Sequence, residues 1–401
     1  MPDRRRIAAR LDELWGIARG PRGGADRPAY SSAEAEATRR VAAWATELGL
    51  EPAIDPHGNL WALPGGWKGP VVTSGSHLDT VPDGGRYDGA LGTALGLELV
   101  ADLAAATANL PARPGLLVCA AEEAPRFGAG TIGSRLLVGS LHPAELADLR
   151  DAGGVSAAEA LARYLRELAD LPRCRPATDR LRAHAEVHVA TRRALRELGV
   201  VTRVASPRRL VIELTGESGH AGEVAMDERR DALVAAAEIV LAVEAAAREE
   251  PDQTVATVGT AEVAPGAISV IPGQVTLGVD ARAIDAASLD RLEAAIRARA
   301  ADIAARRGIG VEVRLTRAGT PTALDGELAR AALRAAGELG ITAETTWSGS
   351  GHDAQHLIAL APTLLMFVPL HGGESHTPQE GADLDEIVAA ARIVAAVMAR
   401  V

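Results

Sequence analysis

The chain has 401 residues, 47% of them hydrophobic and 24% charged, with a formal net charge of −11. That balance excludes a disordered chain, which would be poor in apolar residues, and the length calls for two or three domains at roughly 100–200 residues each. No basic block offsets the acidic balance, so the face that binds phosphate backbones is missing and nucleic-acid partners are excluded.

The first predicted element is a helix, because Ile7, Leu11, Leu14 and Trp15 recur at helical spacing. The charged stretch from Met1 to Arg10 lacks the apolar centre of a signal peptide, and no window approaches the ~20 apolar residues of a membrane helix. A cytoplasmic protein without membrane contact is expected. A second amphipathic helix, 33–48, follows the cap candidates Ser31 and Ser32 and stops before Gly49. Apolar runs at 60–63, 71–74 and 116–121 have strand length, and the Ala-, Leu- and Gly-rich run 90–103 reads as a helix. Strands alternating with helices predict α/β layering around a buried sheet. The stretch 145–182, mostly Ala, Leu and charge, reads as helical. Two cysteines, Cys119 and Cys174, are too few for a disulfide scaffold and have no CxxC spacing.

The character changes near Arg209. A strand at 209–215, a helix at 227–249, strands at 254–263 and 274–282, a helix at 289–305 and a strand at 310–317 follow the order of a ferredoxin-like unit. That predicts an α+β domain inserted over 209–325. Helices at 326–339 and 385–401 then flank a strand at 363–368, so the first domain, 1–208 with 326–401, resumes.

A few of the ten histidines keep unusual company. His77 lies in Ser74-Gly-Ser-His-Leu-Asp-Thr80, just past an apolar strand. Asp88 follows in Gly84-Gly-Arg-Tyr-Asp-Gly-Ala90. Glu122 and Glu123 end the run 116–121, His188 sits in Ala185-Glu-Val-His-Val189, and His376 sits in Gly372-Gly-Glu-Ser-His-Thr-Pro378. Imidazole and carboxylate together are what zinc and similar divalent ions select. A single strand-end histidine is more often a satisfied polar residue than a ligand. Several such groups, each at a strand end or Gly-rich turn, shift that balance, because α/β folds place their sites at the carboxyl ends of strands. At a strand end, adjacent glutamates point apart, so one can be a metal ligand and the other a general base. Asp79 can hold the second imidazole nitrogen of His77 from behind.

The spacing His77-Leu-Asp79, Asp88-Gly89, Glu122-Glu123 resembles the co-catalytic metallopeptidases of the M20 type. Gly75-Ser-His-Leu-Asp-Thr-Val-Pro-Asp-Gly-Gly-Arg-Tyr-Asp-Gly-Ala-Leu91 is similar to the amidase branch of that family. So are Glu122-Glu-Ala-Pro-Arg-Phe127, Gly130-Thr-Ile-Gly-Ser-Arg135, Pro265-Gly-Ala-Ile-Ser-Val-Ile-Pro-Gly273 and Ser348-Gly-Ser-Gly-His-Asp-Ala354. That branch contains N-carbamoyl-L-amino acid hydrolases, allantoate amidohydrolases and β-ureidopropionases.

The resemblance implies a metallopeptidase-like catalytic domain with a central mixed sheet, and a lid and dimerisation domain at 209–325. It implies two divalent ions per subunit, with zinc the first choice and manganese, cobalt or nickel the others. His77, Asp88 and His188 would hold one; Asp88, Glu123 and His376 would hold the other. Glu122 would be the general base on a bridging water. His220, in Gly216-Glu-Ser-Gly-His-Ala-Gly222, would stabilise the oxyanion, reaching the partner's site in a homodimer. Arg282 would clamp the carboxylate of a small substrate, and His352 is a further candidate at the site.

Two positions depart from the branch. The family's ligand histidine is followed by Ile-Glu-Gln-Gly-Pro, whereas His188 is followed by Val189-Ala-Thr-Arg-Arg193, so Thr191 stands for the glutamine. Ser269 stands for the family asparagine. Both changes remove a planar amide that donates and accepts at once. The expected activity is hydrolysis of a linear C–N bond in a small N-carbamoyl, ureido or N-acyl amino acid. The alternatives are a dipeptidase or N-acyl amino acid deacylase of the wider family, and a non-catalytic binding protein on the same fold.

Overall fold

In the computed structural model, which describes residues 2–105, 110–190, 194–251, 253–371 and 374–401, short polar side chains start the long helices. Asp3, Ser31, Asp231, Asp285, Asp325 and Asp383 accept first-turn N–H groups of Arg4–Gly16, Ser32–Glu47, Ala232–Arg248, Ala286–Arg307, Gly326–Leu339 and Leu384–Met398. Such a cap contributes about 1 kcal/mol. Gly308 and Gly340, both left-handed, end two of these helices.

The chain divides into two units, Met1–Thr202 with Ala323–Val401, and Arg203–Thr322. The first is built on a nine-stranded mixed sheet. From one edge its order is Leu50–Ile54, Leu60–Pro64, Arg113–Val118, Val71–Ser74, Leu181–Val189, Thr363–Val368, Leu198–Val204 and Thr322–Ala323, with Ala343–Ser348 also pairing to Leu198–Val204. The four strands Arg113–Val118, Val71–Ser74, Leu181–Val189 and Thr363–Val368 are mutually parallel. Every residue of Val71–Ser74 and Thr363–Val368 is buried, as expected where a parallel sheet is covered on both faces. Helix Ala90–Ala105 packs on three of these strands, and Leu384–Met398 packs on Ala90–Ala105 and Thr363–Val368. Ala, Leu, Val and Ile supply most of that core.

The second unit is a four-stranded antiparallel sheet in the order Gly310–Ala318, Ser206–Thr215, Gln274–Ala283, Val255–Ala264. Helices Ala232–Arg248 and Ala286–Arg307 pack on it and on each other. Burial alternates along Gln274–Ala283, so one face meets the helices and the other faces outward. This is the ferredoxin-like arrangement.

Three local expectations change. The stretch 145–182 holds one helix, Ala157–Glu167, and otherwise short turns before the strand Leu181–Val189. Gly153-Gly154, Pro172 and Pro176 interrupt it, as such residues do. The strand predicted to run to Ala121 stops at Val118. The strands Leu50–Ile54, Leu198–Val204 and Ala343–Ser348 have no counterpart in the predicted elements.

Candidate metal centre

Because the four parallel strands point the same way, their carboxyl ends share one edge of the sheet. His77 comes just past Val71–Ser74, and Glu122 and Glu123 come past Arg113–Val118. His188 is the penultimate residue of Leu181–Val189, and His376 lies on the segment after Thr363–Val368. Asp88 stands one residue, Gly89, ahead of helix Ala90–Ala105.

The two imidazoles are fixed from behind. His77 Nδ1 lies 3.0 Å from the Asp79 carbonyl, and His188 Nδ1 lies 2.9 Å from the Val189 carbonyl. A carbonyl only accepts, so each Nδ1 carries the proton and each Nε2 presents a lone pair. Those two Nε2 atoms are 3.4 Å apart. Asp88 Oδ1 lies 3.4 Å from the first and 3.0 Å from the second. The other oxygen, Asp88 Oδ2, lies 3.3 Å from His376 Nε2, which is 3.5 Å from Glu123 Oε1.

The backbone is shaped to make these approaches. Gly89 has φ +67°, and a Cβ there would collide with the His77 ring. Ala121, ahead of the glutamate pair, has φ 56°, and His376 has φ 65°, both unusual for residues with a Cβ. The Asp79 carboxylate, expected behind His77, chiefly secures the glutamate turn: Oδ1 accepts from Glu122 N at 3.0 Å and Oδ2 from Glu123 N at 2.8 Å. It stands 3.5 Å from His77 Nδ1 as well. Buried Glu34 accepts from Ala121 N at 3.0 Å and braces the same turn.

Among the described residues, three groups of side chains have ligand atoms within 4.8 Å of one another: His77, Asp88, His188; Asp88, Glu123, His376; and His77, Glu122, Glu123. The first two share Asp88 through its two oxygens. Glu122 stands off at 3.9 Å from His77 Nε2.

The donor set fits divalent ions. Two ligand atoms at ~2.0–2.1 Å from a tetrahedral zinc are about 3.3–3.4 Å apart, which is the scale of the edges in the first two groups. Two imidazoles and a carboxylate brought this close in a buried site favour a cation among them. The electrostatics agree. Burial pushes the Glu122 carboxyl well above the usual carboxylate range, against the pull of His77 and with help from Glu123. Burial and neighbouring Asp88 push Glu123 up to about 7. The hydrogen bond to Asp88 raises His376 to about 9. Against burial, His188, His376 and His77 hold Asp88 well below the usual range.

The model of peptidase family M20/M25/M40 matches residues 74–400. The chain belongs to that family. An N-carbamoyl-L-amino acid amidohydrolase of Geobacillus stearothermophilus is 33% identical over 395 residues, covering 97% of this chain and 96% of the relative. Allantoate amidohydrolase of Escherichia coli (strain K12) is 31% identical over 403 residues, covering 98% and 96%. Among solved structures, a hydantoinase/carbamoylase family amidase from Burkholderia multivorans superposes with a TM-score of 0.87 at 33% identity, covering 99% of this chain and 97% of that one.

The M20 match begins at Ser74, so it spans all three groups of candidate ligands, while Glu34 lies before it. His352 is buried against the His188 ring, with centroids 4.7 Å apart, and its Nε2 is 2.9 Å from Ser348 Oγ. Thr191, Arg192 and Arg193 lie outside the described residues. In the second unit, His220 and Ser269 come together: Val270 pairs with His220, and the Ser269 carbonyl accepts from Ala221 N at 2.9 Å. Arg282 is the penultimate residue of the strand Gln274–Ala283, with its Nε 2.7 Å from Asp280 Oδ1.

Sequence reasoning missed Ser375 and Glu380. Ser375 Oγ donates to Asp88 Oδ2 at 2.8 Å. Glu380 accepts from the backbone N–H groups of Tyr87 and Asp88. Their only signal was proximity in sequence to His376, which many surface residues share.

Proposed function

We propose that this M20 protein is a metal-dependent amidohydrolase that cleaves a linear C–N bond of a small N-carbamoyl, ureido or N-acyl amino acid. Two divalent ions are held, one by His77, Asp88 and His188, the other by Asp88, Glu123 and His376. Zinc suits this nitrogen and oxygen set, and manganese, cobalt and nickel are the other candidates. The single observation that carries the reading is Asp88, whose two oxygens each complete one ligand group. The relatives named for carbamoyl amino acids and allantoate support the substrate class.

When bound, such ions supply Lewis-acid polarisation of the scissile carbonyl and a more acidic water. Glu122 takes the proton of the attacking water and returns it to the leaving nitrogen. His220 donates to the developing oxyanion, and Arg282 binds the substrate carboxylate through paired hydrogen bonds.

Arg282→Ala is expected to raise KM for the acid substrate by the equivalent of a lost charge-assisted bond, about 1.5–3 kcal/mol. The corresponding amide should change little. Steady-state kinetics on both compounds checks this, and equal effects would remove Arg282 from the substrate.

We also infer a homodimer formed through the second unit. The strand Val255–Ala264 is a sheet edge, exposed along most of its length and carrying Glu262 as its one charged residue. Apart from Glu262 and an irregular register opposite Gly278 and Val279, the strand has none of the charge or proline that usually protects an open edge. Leu241, on the helix packed against it, and Val255, its first residue, are 67% and 50% exposed. The double variant Leu241→Asp, Val255→Asp is expected to run as a monomer in light scattering where the wild type is a dimer. A monomeric wild type would defeat the inference.

Among the described residues no helix is long and apolar enough to cross a membrane. The free thiols of Cys119 and Cys174 support a reducing, cytoplasmic setting.

Thr191 and Ser269 favour a second reading of substrate choice. A ureido –NH₂ without amide partners loses about 1–3 kcal/mol per unpaired group. N-acyl amino acids, the substrates of a deacylase, should therefore be turned over faster than simple N-carbamoyl ones. Thr191→Gln with Ser269→Asn should raise carbamoylase activity. A broad screen in which a carbamoyl amino acid or allantoate is the best substrate would reject this preference and keep the main reading.

A further inference from the structure

Glu380 is 6% exposed, deeper than a glutamate on a turn ordinarily sits. Its Oε1 accepts two backbone N–H groups, Tyr87 at 2.7 Å and Asp88 at 3.0 Å. Its Oε2 is buried and has no hydrogen-bond partner among the described residues. The carboxyl lies flat on the loop that leads to Asp88, since a Cβ at Gly85 would collide with it. Burying a carboxylate in order to hold two amides is costly, so the held loop must return something.

What it holds is the shared ligand. The segment that carries Glu380 also carries Ser375, which donates to Asp88 Oδ2 at 2.8 Å, and His376, whose Nε2 is 3.3 Å from the same oxygen. Asp88 is thus gripped twice by one segment, through its backbone by Glu380 and through its carboxylate by Ser375. The two ligand groups do not depend equally on that grip. His77 and His188 are fixed by carbonyls at strand ends, through Asp79 and Val189. His376 has a half-exposed side chain on a turn with φ 65°, and the 374–381 segment is tied down by Glu380 itself. The turn closes through Glu380 N to the Thr377 carbonyl, and its end is held by His371 N to the Gly381 carbonyl.

We propose that Glu380 is a positioning residue that sets Asp88 between the two ligand groups, and that the Asp88–Glu123–His376 group depends on it more than the His77–Asp88–His188 group does. The inference rests on the two-ion reading above. It adds that the two ions are bound with separable affinities, the weaker link being a carboxylate that touches neither.

The test is a zinc titration of metal-free, full-length protein by calorimetry, with elemental analysis after dialysis, for the wild type, Glu380→Ala, Glu380→Gln and Gly85→Ala. In Glu380→Ala one of two binding steps should weaken by about 10–100-fold, the usual effect of removing a group that orients a ligand. The other step should keep its affinity. Glu380→Gln retains an acceptor oxygen for both amides and should bind close to wild type. Gly85→Ala displaces the carboxyl while leaving Glu380 in the chain, and should reproduce the selective loss; it carries the test if Glu380→Ala does not fold. Unchanged binding in Glu380→Ala and Gly85→Ala, or equal weakening of both steps, would overturn the inference while leaving two ions in the wild type. Glu380→Gln binding as poorly as Glu380→Ala would also overturn it, because charge rather than the amide grip would then matter. A wild type that takes up one ion or none would overturn the two-ion reading itself, and this inference with it.

Discussion

Glu122→Gln is expected to lower kcat by about 10²–10⁴-fold, the range lost when a general base is removed, with metal content unchanged. Glu122 and Glu123 are neighbours on one turn, anchored by the same Asp79 carboxylate, and both are pushed up by burial. Their side chains nevertheless have different company. Glu123 Oε1 is 3.5 Å from His376 Nε2, an edge expected between two ligands of one ion, whereas Glu122 comes no nearer than 3.9 Å to His77 Nε2. Glu123→Gln should therefore lose metal first and rate as a consequence. Parallel measurement of kcat and metal content in the two variants decides the matter. If Glu122→Gln loses metal and Glu123→Gln keeps it, the roles are reversed.

Asp88→Ala is expected to abolish measurable hydrolysis and uptake of both ions, an effect no other single ligand should have. Each oxygen of Asp88 serves a different group, so both groups would fall from three candidate ligands to two. His188→Ala, by contrast, touches only one. The consequence extends to stability. An ion at about a hundred times its Kd stabilises the folded state by about 2.7 kcal/mol. Added zinc should raise Tm in the wild type and leave Asp88→Ala unmoved. Retention of one tightly bound ion by Asp88→Ala would show that Asp88 does not bridge.

Much of this arrangement was legible before the fold was known. The apolar runs 71–74 and 363–368 are read as strands and observed with the same limits, because a strand buried on both faces leaves an unbroken apolar signature. The βαββαβ order of the second unit was equally plain, since its helices are long and its strands alternate. The short polar strand Ala343–Ser348 was not, because Glu344, Thr345 and Thr346 give no apolar period. At the candidate metal centre, residue types and strand-end placement pointed to His77, Asp88, Glu123, His188 and His376, which the fold brings together in two groups. What stayed hidden was how they are held. Asp79 works mainly through the backbone amides of the glutamate turn, and Glu380 through the amides of the Asp88 loop. Backbone recognition of this kind leaves no periodicity or spacing in a sequence. It depends on segments about 290 residues apart meeting at one sheet edge.

The number of ions that the wild-type protein needs for its chemistry tests the bridging role of Asp88 most directly. Protein stripped with a chelator should have no amidohydrolase activity toward N-acyl or N-carbamoyl amino acids. Activity should return as zinc, manganese, cobalt or nickel is added back, and elemental analysis should find about two ions per chain at the plateau. Full hydrolysis by protein shown to carry no metal, or a plateau at a single ion per chain, would contradict the bridging role of Asp88 on which the mechanism is built.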